Sequence, residues 1–382
     1  MEKEPVEKAV ATRLRRARLQ LGMTQQEVAH AVGFKNPQSV VYIESGRQAV
    51  KVSELLRFAR LFDRSVDSLL GLENDEAAPV VLWRDRGEAA AARAAEAQFI
   101  RYCRDYAQIE ELAGRRPAPV SLTRRAKPAT YEEADRMGEE YSQMMKLGSR
   151  PAIGLLSALE EQYGVKLYAA RLEGAGSAAS AKGSFGAAIM LNCMNAPARR
   201  SYDAAHETFH LATWDLFPAE RVRCASGERR SRVDTMANRF ASALLLPEKA
   251  LKAELRSRAP VSDWSYVDYV TLAHEFRVSA EAMVWRLVVL EYVSEADARR
   301  MLRSPGFCAA KQTEARDTNE DERCTGYSRR FVGLAFECLA KGRISRTRFA
   351  ELMGTRLCDV DEFLAGWGYG TVEADETQTG TA

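Results

Sequence analysis

Residues 201–211 read Ser-Tyr-Asp-Ala-Ala-His-Glu-Thr-Phe-His-Leu. An α-helix turns once in about 3.6 residues, so positions four apart lie nearly above one another. His206 and His210 can therefore point two imidazoles at one ion, and Glu207 lies beside that seam, in reach of a water held by the ion. This H-E-x-x-H spacing is the one by which zinc hydrolases hold their metal and supply a general base. The chain has four histidines, and two of them are placed here.

Two histidines leave a tetrahedral catalytic zinc short of a third protein ligand, with a fourth position kept open. No later histidine has the spacing to supply it, so the third ligand is expected to be a carboxylate, with Glu220, Glu228 and Asp234 as downstream candidates. Arg229–Leu246 reads as one amphipathic helix on which Asp234 and Asn238 share a face, and this favours Asp234. Asn238 would then hydrogen-bond the far ring nitrogen of a ligand histidine and fix its tautomer. Arg286, Tyr202, Tyr266, Tyr269 and His274 are candidate donors to an oxyanion, His274 fitting a packed or surface role better than a ligand role.

Around this centre the sequence predicts a mainly α, α+β fold with a small sheet. Val165–Leu172 and Phe185–Asn192 read as strands, joined through a Gly/Ser/Ala-rich flexible loop at Gly174–Ser180. That loop has no Walker lysine and precedes no helix, which excludes a phosphate loop. An edge strand beside the histidine helix would suit an extended peptide held by backbone pairing. Upstream, Glu88–Leu112 is a long Ala-rich helix with Phe99, Tyr102, Tyr106 and Ile109 on one packed face, Gly114–Pro128 a loop, and Tyr131–Leu147 and Pro151–Tyr163 two helices. Downstream, Thr313–Glu322 is a charged linker. Tyr327–Leu339, Ser345–Met353 and Val360–Trp367 form three short helices, read first as a cap and second as a nucleic-acid contact, and Glu373–Ala382 is a disordered tail.

The front of the chain follows another logic. From Lys8 to Leu72 there are eleven Lys/Arg against five Asp/Glu, a balance that suits a nucleic-acid partner. Ala9–Leu21 has helical spacing. Thr24 with Glu27 makes a capping box for Gln25–Val32, and Gly33 stops that helix. Pro37, at a first-helical position, opens Gln38–Glu44, and Val52–Phe62 and Ser65–Leu70 follow. Helix, tight turn and a second helix of about eight residues form a helix-turn-helix, the second helix entering the major groove. "LRRARLQLGMTQQEVAHAVGF…SVVYIESGR" resembles the XRE, lambda-repressor-like family over this five-helix segment. The resemblance implies base-edge contacts from Gln38, Ser39 and Tyr42, backbone contacts near Gln25 and Arg47, and a structural role for Glu44. Pro37 and Val41 stand where that family often carries polar residues, so the operator sequence is not legible.

"SYDAAHETFHL" followed by "DTMANRFASALLLP" resembles the ImmA/IrrE family of zinc metallopeptidases, as does "FRVSAEAMVWRL" with its closing helix pair. The resemblance implies zinc, peptide-bond hydrolysis and a protein substrate. It also marks two departures: aspartate at position 234 where the family carries glutamate, and Met236 where a second acid is common. Aspartate is shorter by one methylene, so its helix must come closer to reach the ion.

The segments divide as an XRE domain at 8–72, a helical linker region at 80–130, a zincin-like peptidase domain at 131–305 and a C-terminal helical domain at 325–370. Seven cysteines without a C-x-x-C pair read as free thiols in a reducing compartment, and Met1–Val10 lacks an apolar signal segment. With no apolar stretch near ~20 residues, the expectation is a cytoplasmic protein without a membrane partner. Its partners are expected to be an operator in double-stranded DNA, bound as a homodimer, and a repressor-type regulator cleaved in a stress, mobile-element or toxin–antitoxin circuit. The rival reading is a non-proteolytic regulator whose zinc domain is a sensor or structural platform.

Overall fold

The computed structural model describes residues 6–21, 23–62, 64, 66–70, 79–85, 87–115, 121–124, 126–217, 231–317 and 326–370. The chain forms two compact units, Met1–Ala78 and Pro79–Ala382.

Among the described residues, the first unit holds five helices: α1 Val6–Gln20, α2 Gln25–Val32, α3 Gln38–Glu44, α4 Val52–Phe62 and α5 Val66–Leu70. The capping box at Thr24 forms in both directions, and Gly33 ends α2 in the left-handed conformation (φ 81°), where a Cβ would be strained. Pro37 stands one position earlier than expected, as the residue before α3, while the Asn36 carboxamide accepts from the Gln38 backbone N–H. Val10, Leu14, Val28, Val32, Val40, Ile43, Phe58 and Phe62 close one core. Glu44 is buried in it and receives both Arg18 Nε (2.7 Å) and Nη2 (3.0 Å) together with Gln25 Nε2 (2.9 Å). This bidentate pair ties α1, α2 and α3 together and explains a buried acid in so small a core.

The second unit is organised by a four-stranded sheet ordered β1 (Val80–Arg84), β3 (Ala178–Gly183), β4 (Gly186–Asn192), β2 (Lys166–Ala170). β1/β3 and β3/β4 are antiparallel, and β2/β4 are parallel. Strand side chains alternate faces. Leu82, Ala178, Ile189 and Leu191 join one core, whereas Val81, Ala179, Ala181, Ala188 and Met190 join the other. The sheet is thus buried on both faces, which explains why the buried part of β3, Ala178–Ala181, is alanine and serine: little room is left between the layers. Two strand expectations are corrected here. The predicted flexible loop ends two residues before Ser180, where β3 has begun, and residues 80–130 are not only helical, because they open with β1.

On the first face lie α7 (Tyr131–Met144), α8 (Pro151–Glu161), α9 (Pro197–Ala212) and α10 (Arg232–Leu245), followed by α11 (Glu248–Arg256), α12 (Tyr266–Glu275), α13 (Ala280–Val289), α14 (Glu295–Leu302) and α15 (Pro305–Asp317). α10 packs between α7 and α9. Gly138 permits the α7 crossing, since a Cβ there would stand 2.4 Å from the Phe240 carbonyl oxygen. On the second face, α6 (Ala89–Ala113) presents the expected stripe of Phe99, Tyr102, Tyr106 and Ile109. It shares that core with α16 (Arg329–Ala340), α17 (Arg346–Leu352) and α18 (Val360–Gly366). The region expected as a linker and the C-terminal helices therefore close one layer together. Part of the expected Thr313–Glu322 linker is helical in α15; the rest, with Glu373–Ala382, lies outside the described residues.

Cys103, Cys308, Cys338 and Cys358 are free thiols, while Cys193 is disulfide-bonded, which corrects the expectation of free thiols throughout. No described helix is long and apolar enough to cross a membrane.

Candidate metal centre

α9 opens with Pro197 in its first turn and runs through Ala212, and every residue from Asp203 to Ala212 is buried. The histidine pair thus sits inside the unit, between the sheet and α10. His206 Nε2 lies 3.1 Å from His210 Nε2 and 3.3 Å from Asp234 Oδ1, and ligand atoms of all three lie within 4.8 Å of one another. A tetrahedral zinc with bonds of about 2.0–2.1 Å separates its ligand atoms by roughly 3.3–3.4 Å. The donor set and spacing fit that ion. Ser231 caps α10 by accepting from the Asp234 backbone N–H (3.0 Å) and so anchors the turn that carries the aspartate. α9 and α10 pack directly on each other, and the aspartate reaches the histidine pair from α10. Glu220 and Glu228, the other acids considered, lie outside the described residues.

The hydrogen bonding sets the tautomer. His206 Nδ1 is 3.0 Å from Asn238 Oδ1, and Arg84 Nη2 is 3.3 Å from the same oxygen. Arginine can only donate, so that atom is the carbonyl end of the amide, an acceptor. His206 Nδ1 then carries the proton, and Nε2 presents its lone pair toward His210 and Asp234. Burial, and after it the Arg84 charge, lowers the pKa of His206. Burial, with His206 next, takes His210 down to about 3, so both rings are in the neutral form that ligation requires.

Glu207 points its carboxylate at the sheet. Oε2 accepts from Ser180 Oγ at 2.6 Å, whereas Oε1 is buried without a hydrogen-bond partner. An orphaned buried carboxylate oxygen on the helix that carries both histidines is where a water or an ion would be satisfied. Burial raises the Glu207 pKa to about 8, against the opposing pull of Ser180 and Arg84.

Ser180 and Arg84 went unseen in the sequence. Both come from strands on the face that carries Leu82 and Ala178. Val80-Val-Leu-Trp-Arg84, directly after Pro79, is the β-branched and aromatic run that could have revealed β1. Among the oxyanion candidates, Tyr202 stands at the centre, its hydroxyl donating to the Asn238 backbone carbonyl (3.0 Å). Arg286 is a correction: it is buried and donates to the Leu246 carbonyl (2.9 Å) and Glu139 (2.6 Å), so it fastens α13 to α10 and α7. The Tyr269 hydroxyl turns to the Val261 carbonyl, Tyr266 rests edge-on against Phe307, and His274 is exposed.

In the first unit, Gln38 and Tyr42 are exposed and four residues apart on α3, Arg47 is exposed just beyond it, and Ser39 is half-buried. Gln25 is half-buried, its amide nitrogen engaged by Glu44.

Comparison with known proteins agrees with this division. Residues 14–69 match the helix-turn-helix family, and residues 160–288 match a peptidase family described as the IrrE N-terminal-like domain. An uncharacterized HTH-type transcriptional regulator from Archaeoglobus fulgidus is 31% identical over 65 residues, which are 17% of this chain and 91% of that protein.

Proposed function

Because the chain belongs to the XRE-type helix-turn-helix regulators and carries an ImmA/IrrE-like peptidase-family domain behind that front end, we propose that it is a zinc-dependent endopeptidase that binds DNA and cleaves a partner regulator. The convergence of His206, His210 and Asp234, with the His206 tautomer fixed through Asn238, carries this reading. Those three would hold the ion. Bound there, zinc supplies Lewis acidity toward a peptide carbonyl and lowers the pKa of water.

The chain's own residues do the rest. Ser180 fixes one oxygen of Glu207 and leaves Oε1 free; the charge of a bound cation would offset the burial that raises this group to about 8, so the ionised carboxylate could take the proton of the attacking water and pass it to the departing nitrogen. In the first unit, Gln38, Ser39 and Tyr42 on α3 would read base edges of a double-stranded operator while Gln25 and Arg47 approach phosphates. Two such modules on two half-sites make a homodimer. The substrate is a repressor- or antitoxin-like regulator in a stress, mobile-element or toxin–antitoxin circuit, met in the compartment that holds the operator.

The test compares protein N-termini in cells carrying the wild-type chain and its Glu207→Gln variant. The reading expects new termini inside one DNA-binding regulator that vanish with Glu207→Gln. A regulatory phenotype that survives this change, without any such termini, would leave the zinc domain as a non-proteolytic platform.

A further inference from the structure

One side chain reaches the ligand shell from outside the residues matched to the peptidase family. Arg84 ends β1, is buried, and extends its guanidinium between α9 and α10. Nη2 donates to Asn238 Oδ1 at 3.3 Å, the oxygen that also accepts from His206. Nη1 lies 2.8 Å from Asp203 Oδ1 on α9, a charge pair more than an aligned hydrogen bond. The guanidinium carbon stands 5.2 Å from the centre of the Tyr202 ring, whose hydroxyl holds the Asn238 backbone. β1 is itself fixed beyond the strand, where the N–H groups of Gly87 and Glu88 donate to the Ala175 and Gly174 carbonyls; a Cβ on Gly87 would stand 1.9 Å from the Gly174 oxygen.

We propose that Arg84 is a positioning residue of the metal centre: it locks the Asn238 amide in the one orientation that accepts from His206, and so keeps His206 Nε2 aimed at the ion. This deepens the zinc reading above and rests on it. The two ends of a carboxamide are nearly equal in size, so one hydrogen bond alone holds its orientation weakly. With two donors on Oδ1, a flip would set the NH2 group against both His206 Nδ1–H and the guanidinium, losing two hydrogen bonds at once in a dry site. A cation beside a dication site would ordinarily repel the ion, but Asp203 neutralises this one at contact distance. Asp203 keeps further partners in Arg199 Nε (3.0 Å) and Asn195 Nδ2 (3.1 Å), so it does not depend on Arg84 alone.

A merely structural arginine would glue β1 to α9 through Asp203 without touching metal affinity. The experiment measures Zn2+ affinity of the full chain by competition with a chromophoric chelator, and the visible spectrum of the Co2+ form. Arg84→Met keeps the apolar stem and removes both donors. It should weaken zinc by about ten- to hundredfold, the usual effect of losing a partner behind a ligand, and alter the cobalt spectrum. Asn238→Ala should do the same, and the double variant should fall no more than roughly threefold below Asn238→Ala, because residues acting through one bond do not add. Arg84→Lys keeps the charge beside Asp203 but lacks the planar fork, so it should resemble Arg84→Met.

Affinity within twofold of wild type in Arg84→Met, or losses that multiply in the double variant, would overturn the inference. Should Arg84→Met fail to fold, the Arg84→Met/Asp203→Asn pair removes both buried charges and carries the same comparison. A wild-type chain that takes no zinc sinks the zinc reading and this inference together. A zinc-binding wild type with an unaffected Arg84→Met sinks this inference alone.

Discussion

The cap formed by the C-terminal helices carries a pH-dependent penalty that one substitution should remove. Glu160 on α8 is only 7% exposed, and its carboxylate accepts from the Tyr106 hydroxyl at 2.8 Å. Around it, Arg330 on α16 donates to Tyr106 and pairs with Glu110, and Lys166 pairs with Glu110 at 2.8 Å. Burial, opposed by Ser328, Tyr106 and Arg330, raises the Glu160 pKa from 4.5 to about 7. The folded value therefore lies above the unfolded one. Below pH ~4.5 the group is protonated in both states and costs nothing. Between there and about pH 7 the unfolded chain loses its proton first, so stability falls as pH rises, and above that window the penalty is complete.

At 1.36 kcal/mol per unit, a rise from 4.5 to about 7 corresponds to roughly 3 kcal/mol. Glu160→Gln keeps an acceptor for Tyr106 and cannot ionise, so relative to wild type it should gain up to roughly 3 kcal/mol between pH 4.5 and pH 8. The assay is urea unfolding of both proteins at the two pH values, followed by tryptophan fluorescence. All five tryptophans (Trp83, Trp214, Trp264, Trp285 and Trp367) lie in the second unit, so the signal reports that unit alone. Subtracting the two proteins cancels every other titration. A difference between them that is the same at pH 4.5 and pH 8 would refute the reasoning.

Other outcomes follow from the same geometry. Glu207→Gln should retain zinc and lower partner cleavage by about 10²–10⁴-fold, read as product per bound metal. Ser180→Ala leaves the second Glu207 oxygen without its 2.6 Å donor. Losing a hydrogen bond to a charged group costs about 1.5–3 kcal/mol, so cleavage should fall roughly ten- to hundredfold with zinc content unchanged. Arg47→Glu should weaken binding to duplex DNA at low salt and reduce the slope of affinity against salt, measured by fluorescence anisotropy; an unchanged slope would remove Arg47 from the interface.

What the sequence made legible was the part encoded by helical spacing. His206 with His210, and Asp234 with Asn238, are each four residues apart, and a four-residue spacing on a helix is already a statement about a shared face. The capping box at Thr24 and the stop at Gly33 were legible because both are local backbone chemistry. Ser180 and Arg84 were not, because strand pairing joins residues far apart in the chain: Leu82 stands opposite Ser180, and Arg84 opposite Ala178. β3 also lacks the β-branched residues that mark a strand. Its buried part, Ala178–Ala181, is packed on both faces and consists of alanine and serine, and such a composition reads as a loop. The role expected of Arg286 failed for a related reason, since a buried arginine in a helix gives no sequence signal of which carboxylates surround it.

The central claim is that His206, His210 and Asp234 hold one zinc ion. Metal analysis of the purified full chain, joined to anomalous scattering at the zinc edge, tests it most directly. The account predicts about one zinc per chain and a single anomalous peak at bonding distance from His206 Nε2, a His210 ring nitrogen and an Asp234 carboxylate oxygen, lost in Asp234→Ala. A chain that holds no zinc, or holds it without these three residues, would contradict it.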